Sequence, residues 1–156
     1  MTMFAELLAH DGVEEVCELR GRFGFMAYHG GSLEVATDVI ARRAAAESGA
    51  SYYGVHQPAD LQWHVPSTKV RPQESPALAR FLEHVDVVIT VHGYGRHGMW
   101  TTLLLGGQNR DLADHIAGHL APSLPDYTIL TELDEIPKEL RGLQDRKSTR
   151  LNSSHT

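Results

Sequence analysis

His29 and Glu34 sit in Tyr28-His29-Gly30-Gly31-Ser32-Leu33-Glu34, and His92 sits in Thr90-Val91-His92-Gly93. Each histidine closes an apolar, strand-like run and is followed at once by glycine. Two imidazoles and one carboxylate are the ligand set of a catalytic zinc site that leaves a fourth position for water. Zinc held in this way brings the pKa of its water toward about 7, so convergence of the three would equip the chain for hydrolysis. On the residues alone a plainer reading stands beside this one: two partly buried histidines and a solvated acid at a helix start. Ten histidines in 156 residues make chance pairings easy.

The elements that must position these residues follow from pattern. Leu19 to Tyr28, with Phe23, Phe25 and Met26, reads as a buried strand leading into His29. Gly30-Gly31 permits a sharp turn. Ser32 is a suitable helix N-cap, and Leu33, Ala36, Ile40 and Ala44 follow helical spacing up to Gly49. Glu34 then falls in the first helical turn, where the glycine turn can fold it back over the strand end. Ser51 to His56 and Leu61 to Val65 are short strand candidates. Ser75-Pro76 opens a helix with Leu78, Phe81, Leu82 and Val85 on its apolar face. Asp86 to Val91 is the clearest strand, and it ends at His92. Phe25, Val88 and Ile89 read as core. Met99 to Leu105 reads as a strand, Asn109 caps a helix that stops at Pro122, and Tyr127 to Leu130 is a last short strand. Alternating strands and helices predict a layered α/β fold with a largely parallel or mixed sheet. Ligands in such sheets bind at the carboxyl ends of strands, where both histidines fall.

Gly93-Tyr94-Gly95-Arg96-His97-Gly98 fits a dinucleotide fingerprint, but strand rather than helix is expected after it, so the match carries little weight. Cys17 is the sole cysteine, which excludes an internal disulfide and a thiolate zinc cluster. The hydrophobic fraction of 42% and charged fraction of 22% are those of a globular protein. A net charge of −6 without a basic patch argues against nucleic acid. No run approaches the roughly 18 apolar residues of a membrane span, and no signal peptide is evident, so a cytoplasmic location is expected.

Residues 145–156 lack apolar periodicity and read like the translation of a sequencing adapter. The expectation is a natural domain over 1–143 and a disordered, non-native tail over 144–156. Without the three basic and one acidic side chains of 145–156 the charge becomes −8.

His-Gly-Gly-x-x-Glu (29–34), Ser67-Thr68, Val91-His92-Gly93, Gly106-Gly107 and Ile136-Pro137 to Arg141-Gly142 together resemble the phage-type poly-γ-glutamate hydrolases, zinc peptidases related in fold to zinc carboxypeptidases. The resemblance runs from about Phe25 to Leu143. It implies a three-layer α/β/α sandwich with a mixed, largely parallel sheet. It implies one Zn2+ held by His29, Glu34 and His92, and cleavage of γ-glutamyl amides in poly-γ-glutamate. Arg96, Arg71 and His97 are candidates for gripping substrate carboxylates. The family's later Asn/Arg-containing segment, and the strand whose glutamate is the expected general base, have no counterpart in this sequence. The chain is therefore expected to be a fragment with its base missing, and a phage enzyme of this kind would be released by lysis. Two alternatives remain open: a zinc amidase for a small N-acyl amino acid, and a zinc-binding scaffold without catalysis.

Overall fold

The computed structural model describes residues 2–143 and 148–154. It has a mixed α/β architecture with four α-helices among the described residues. The chain divides into two compact units, Met1–Val88 and Ile89–Thr156.

The first unit opens with helix α1 (Met3–Ala9) and strand β1 (Glu14–Glu18), neither of which the sequence pattern announces. Strand β2 (Phe23–Gly31) runs through His29 and the double glycine. Helix α2 (Thr37–Ser48) and strand β3 (Ser51–Gln57) follow, and helix α3 (Pro76–His84) comes after a long loop. β3 is central: it pairs antiparallel with β1 and parallel with β2. The core gathers Phe4, Leu7, Tyr53, Val65, Phe81 and Val88, all at most 1% exposed. Phe25 is only half-buried and stacks at a tilt on Phe23, whereas Val88 and Ile89 are buried as expected. Cys17 lies half-buried, and burial pushes its thiol up, which suits an unreactive packing residue.

Three expectations are corrected here. α2 begins at Thr37, not after Ser32, because the Ser32 hydroxyl lies against the carbonyl oxygens of Pro58 (2.5 Å) and Leu61 (2.9 Å) and caps nothing. The late start resets the helix phase. Thr37, Ala41 and Ala45 form the buried face, while Ala36 and Ile40 are exposed. Leu61 to Val65 is not a strand. Its backbone groups are taken by side chains: Trp63 donates to Gln57 Oε1 and accepts from Gln57 Nε2, each at 2.8 Å. α3 matches its expectation, with Ser75 Oγ accepting from the Leu78 amide at 3.0 Å.

In the second unit, β4 (Val87–Tyr94, entering from the first unit), β5 (Thr102–Gly107), helix α4 (Arg110–Leu120), β6 (Thr128–Leu130) and β7 (Ser148–Ser154) lie in the strand order β4-β7-β5-β6. β5 pairs parallel with β6 and antiparallel with β7. Asn109 caps α4 through its side chain, as expected. Within the stretch 144–156, residues Ser148–Ser154 form β7. Pairing Leu104 with Asn152 and Gly107 with Thr149 satisfies backbone groups of β5, and that gain needs no apolar pattern in the partner. The remaining residues of that tail lie outside the described ones. No helix among the described residues is long and apolar enough to cross a membrane.

Candidate metal centre

β2 and β3 run in register until Ala27 faces Gly54; by Gly30, which faces His56, β2 has gained one residue. That bulge falls on Tyr28 and His29. Tyr28 and His29 are both buried, as are Met26 and Ala27 before them, so β2 is covered on both faces here.

The turn that follows is fixed by backbone contacts. Gly31 has φ +70°, and a Cβ there would stand 2.3 Å from the carbonyl oxygen of Gln57. Its amide donates to Asp38 Oδ1 at 3.1 Å, and the Ser32 amide donates to the Gln57 carbonyl at 3.0 Å. The Glu34 amide then reaches back to the His29 carbonyl at 2.9 Å. This closes a loop that sets Glu34 Oε2 3.4 Å from His29 Nδ1. Glu34 therefore sits in the turn before α2 rather than in its first turn, and its carboxylate faces the His29 imidazole.

The other nitrogen of His29 is committed. Nε2 lies 2.7 Å from the Val65 carbonyl oxygen, which can only accept, so Nε2 carries the proton. In the neutral ring the lone pair is then on Nδ1, directed toward Glu34. An imidazole whose second nitrogen donates to a backbone carbonyl is the arrangement that orients histidines on metals.

One further imidazole joins these two. The His64 ring lies 4.5 Å from the His29 ring at a tilt of 43°. One ligand atom each of His29, Glu34 and His64 fall within 4.8 Å of one another. Partial burial, then the neighbouring His29, hold the His64 pKa below its ordinary value, and the Glu34 carboxylate opposes them. The sequence carries no motif that singles out His64. The donor set is two imidazoles and a carboxylate, and it fits zinc.

His92 lies in the second unit near the end of β4 and is 4% exposed. Arg96 ion-pairs with Glu139 in the same unit. Arg71 in the first unit bonds Glu74 at 3.0 Å, and the His97 ring meets Trp100 edge-on. The Gly106-Gly107 and Arg141 motifs serve architecture. Gly107 donates to the Arg141 carbonyl at 2.6 Å, and a Cβ on Gly106 would meet that oxygen at 2.4 Å.

The family described as poly-gamma-glutamate hydrolase matches the chain over residues 4–153. Two solved structures share the fold. A bacteriophage poly-gamma-glutamate hydrolase superposes with a TM-score of 0.75 at 18% identity, over 92% of this chain and 70% of that one. The zinc-free apo form of YNDL superposes with a TM-score of 0.74 at 19% identity, over 94% and 74%. No curated protein matches the sequence.

Proposed function

The chain belongs to the poly-gamma-glutamate hydrolase family, and on that premise we propose that it is a zinc-dependent hydrolase of γ-glutamyl amide bonds. His29, Glu34 and His92 are the proposed ligands of a single ion. The observation that carries the metal is the His29 geometry: Nε2 commits its proton to Val65 and Nδ1 faces a carboxylate 3.4 Å away. A bound zinc would polarise the scissile carbonyl and supply an activated water at neutral pH.

The chain's own residues do the positioning. Val65 holds the His29 ring, and the Gly30-Gly31 turn delivers Glu34 to the same point. The glutamate polymer is a polyanion and the protein carries −6, so attraction has to be local. Arg96, Arg71 and His97 are the proposed grips. Arg96 and Arg71 already hold carboxylates in Glu139 and Glu74, and a substrate carboxylate would exchange for these partners. The residue that takes the proton from water is not assigned.

The test is release of glutamate oligomers from poly-γ-glutamate by the metal-loaded protein. Release should stop with a chelator and return with zinc. Hydrolysis that survives complete metal removal would end this reading.

A further inference from the structure

This inference rests on the metal-site reading above and concerns its ligand set. We infer that His64 is itself a metal ligand, so that residues 29–64 of the first unit hold a complete two-imidazole, one-carboxylate set.

Three observations support it. The first is proximity: donor atoms of His29, Glu34 and His64 fall within 4.8 Å of one another. Donors on a tetrahedral zinc stand roughly 3.3–3.6 Å apart, given metal–ligand distances of about 2.0–2.2 Å. Closing the difference takes a small rotation of the His64 side chain, which is exposed enough to turn.

The second is anchoring. His64 does not hang from a loose surface loop. The residue before it, Trp63, exchanges two hydrogen bonds with the buried Gln57 side chain. The residue after it, Val65, is fully buried and accepts the His29 Nε2–H. Further back, the Ser32 hydroxyl ties the Pro58 and Leu61 carbonyls to the turn that carries Glu34. The loop that presents His64 and the turn that presents Glu34 are therefore one hydrogen-bonded body.

The third is chemistry. An imidazole beside another imidazole and a carboxylate offers a nitrogen donor of the kind that suits zinc. Zinc can extend from four to five ligands, so His64 is compatible with a ligand from elsewhere and a water.

The consequence separates this assignment from a set of His29, Glu34 and His92 alone. Metal should survive loss of His92, more weakly bound, because three donors remain. It should not survive loss of both His64 and His92.

The experiment is cobalt and zinc titration of the full chain, read by the cobalt d–d absorption and by competition with a chromophoric chelator. Variants are H64A, H64F, H92A, H64A/H92A, H29A and E34A, each checked for folding by circular dichroism. H64F keeps the ring contact with His29 and removes the donor nitrogens. Both His64 variants should weaken zinc binding by more than about tenfold and shift the cobalt spectrum. H92A should still take up one cobalt, and the double variant none. Wild-type affinity with an unshifted spectrum in H64F would overturn the assignment, even if H29A and E34A lose metal. Should H29A and E34A also retain full affinity, the metal-site reading itself fails, which is a different outcome.

Discussion

His29 donates its Nε2 proton to the Val65 carbonyl at 2.7 Å, across 36 residues of chain. This bond decides which nitrogen of the ring can bind a metal. It predicts that the neutral His29 of the metal-free protein is the Nε2–H tautomer, readable from long-range 1H–15N correlations of the imidazole. Adding zinc should perturb the Nδ1 resonance most. A dominant Nδ1–H tautomer in the metal-free protein would contradict the geometry.

Gly31 lies between His29 and Glu34 in the turn, and its position admits no side chain. Its φ is +70°, and a Cβ would overlap the Gln57 carbonyl at 2.3 Å, a contact that only backbone movement relieves. Gly31→Ala should therefore destabilise by about 2–3 kcal/mol, from left-handed strain plus overpacking. It should also weaken zinc binding, because the turn it distorts places Glu34. Urea unfolding and zinc competition check both arms. A stability change below about 0.5 kcal/mol, the scale of neutral surface substitutions, would refute it.

Ser75 does two jobs with one hydroxyl. It accepts from the Leu78 amide as the cap of α3 and donates to Glu15 Oε2 at 2.5 Å, the oxygen that also receives the Tyr53 hydroxyl at 2.5 Å. Ser75→Ala should cost about 1–2 kcal/mol in chemical denaturation, in the range of lost N-caps. Tyr53→Phe removes a different donor to the same carboxylate oxygen. The two changes should therefore be non-additive, and simple additivity in the double variant would show that Glu15 does not couple them.

What the sequence made legible was local. The helix at Ser75-Pro76, the strand through His92 and the glycine turn after His29 all announce themselves through caps, β-branched runs or turn residues. The start of α2 was misplaced because Ser32 looks like a cap, and only the fold shows its hydroxyl against Pro58 and Leu61. His64 went unread because its place beside His29 depends on a loop held by Gln57, a long-range contact with no periodic signature. The register shift beside His29 is equally silent, since it is a property of two strands rather than one. β7 was invisible for a related reason: backbone pairing to β5 needs no side-chain pattern.

The pair Glu18–Arg42 gives a pH-dependent prediction. Arg42 donates Nε and an Nη2 hydrogen to the two carboxylate oxygens of Glu18, at 3.0 and 2.8 Å. The hydrogen bonds from Arg42 hold the Glu18 carboxyl below its ordinary value of 4.5, with partial burial opposing and the arginine charges adding to the effect. A carboxyl whose folded pKa is depressed contributes stability that is fully present above its unfolded pKa. That contribution is lost as pH falls through the folded pKa. Arg42→Ala should therefore destabilise at pH 7 and have little effect through Glu18 at a pH well below 4.5, where the carboxyl is protonated in either state. Both side chains are partly exposed, so solvent screening keeps the neutral-pH cost to about 0.5–1 kcal/mol, smaller still in high salt. Urea unfolding of wild type and R42A, from neutral pH down through the carboxylate range, measures this directly. Curves that stay parallel throughout would show that the bidentate contact contributes nothing to stability.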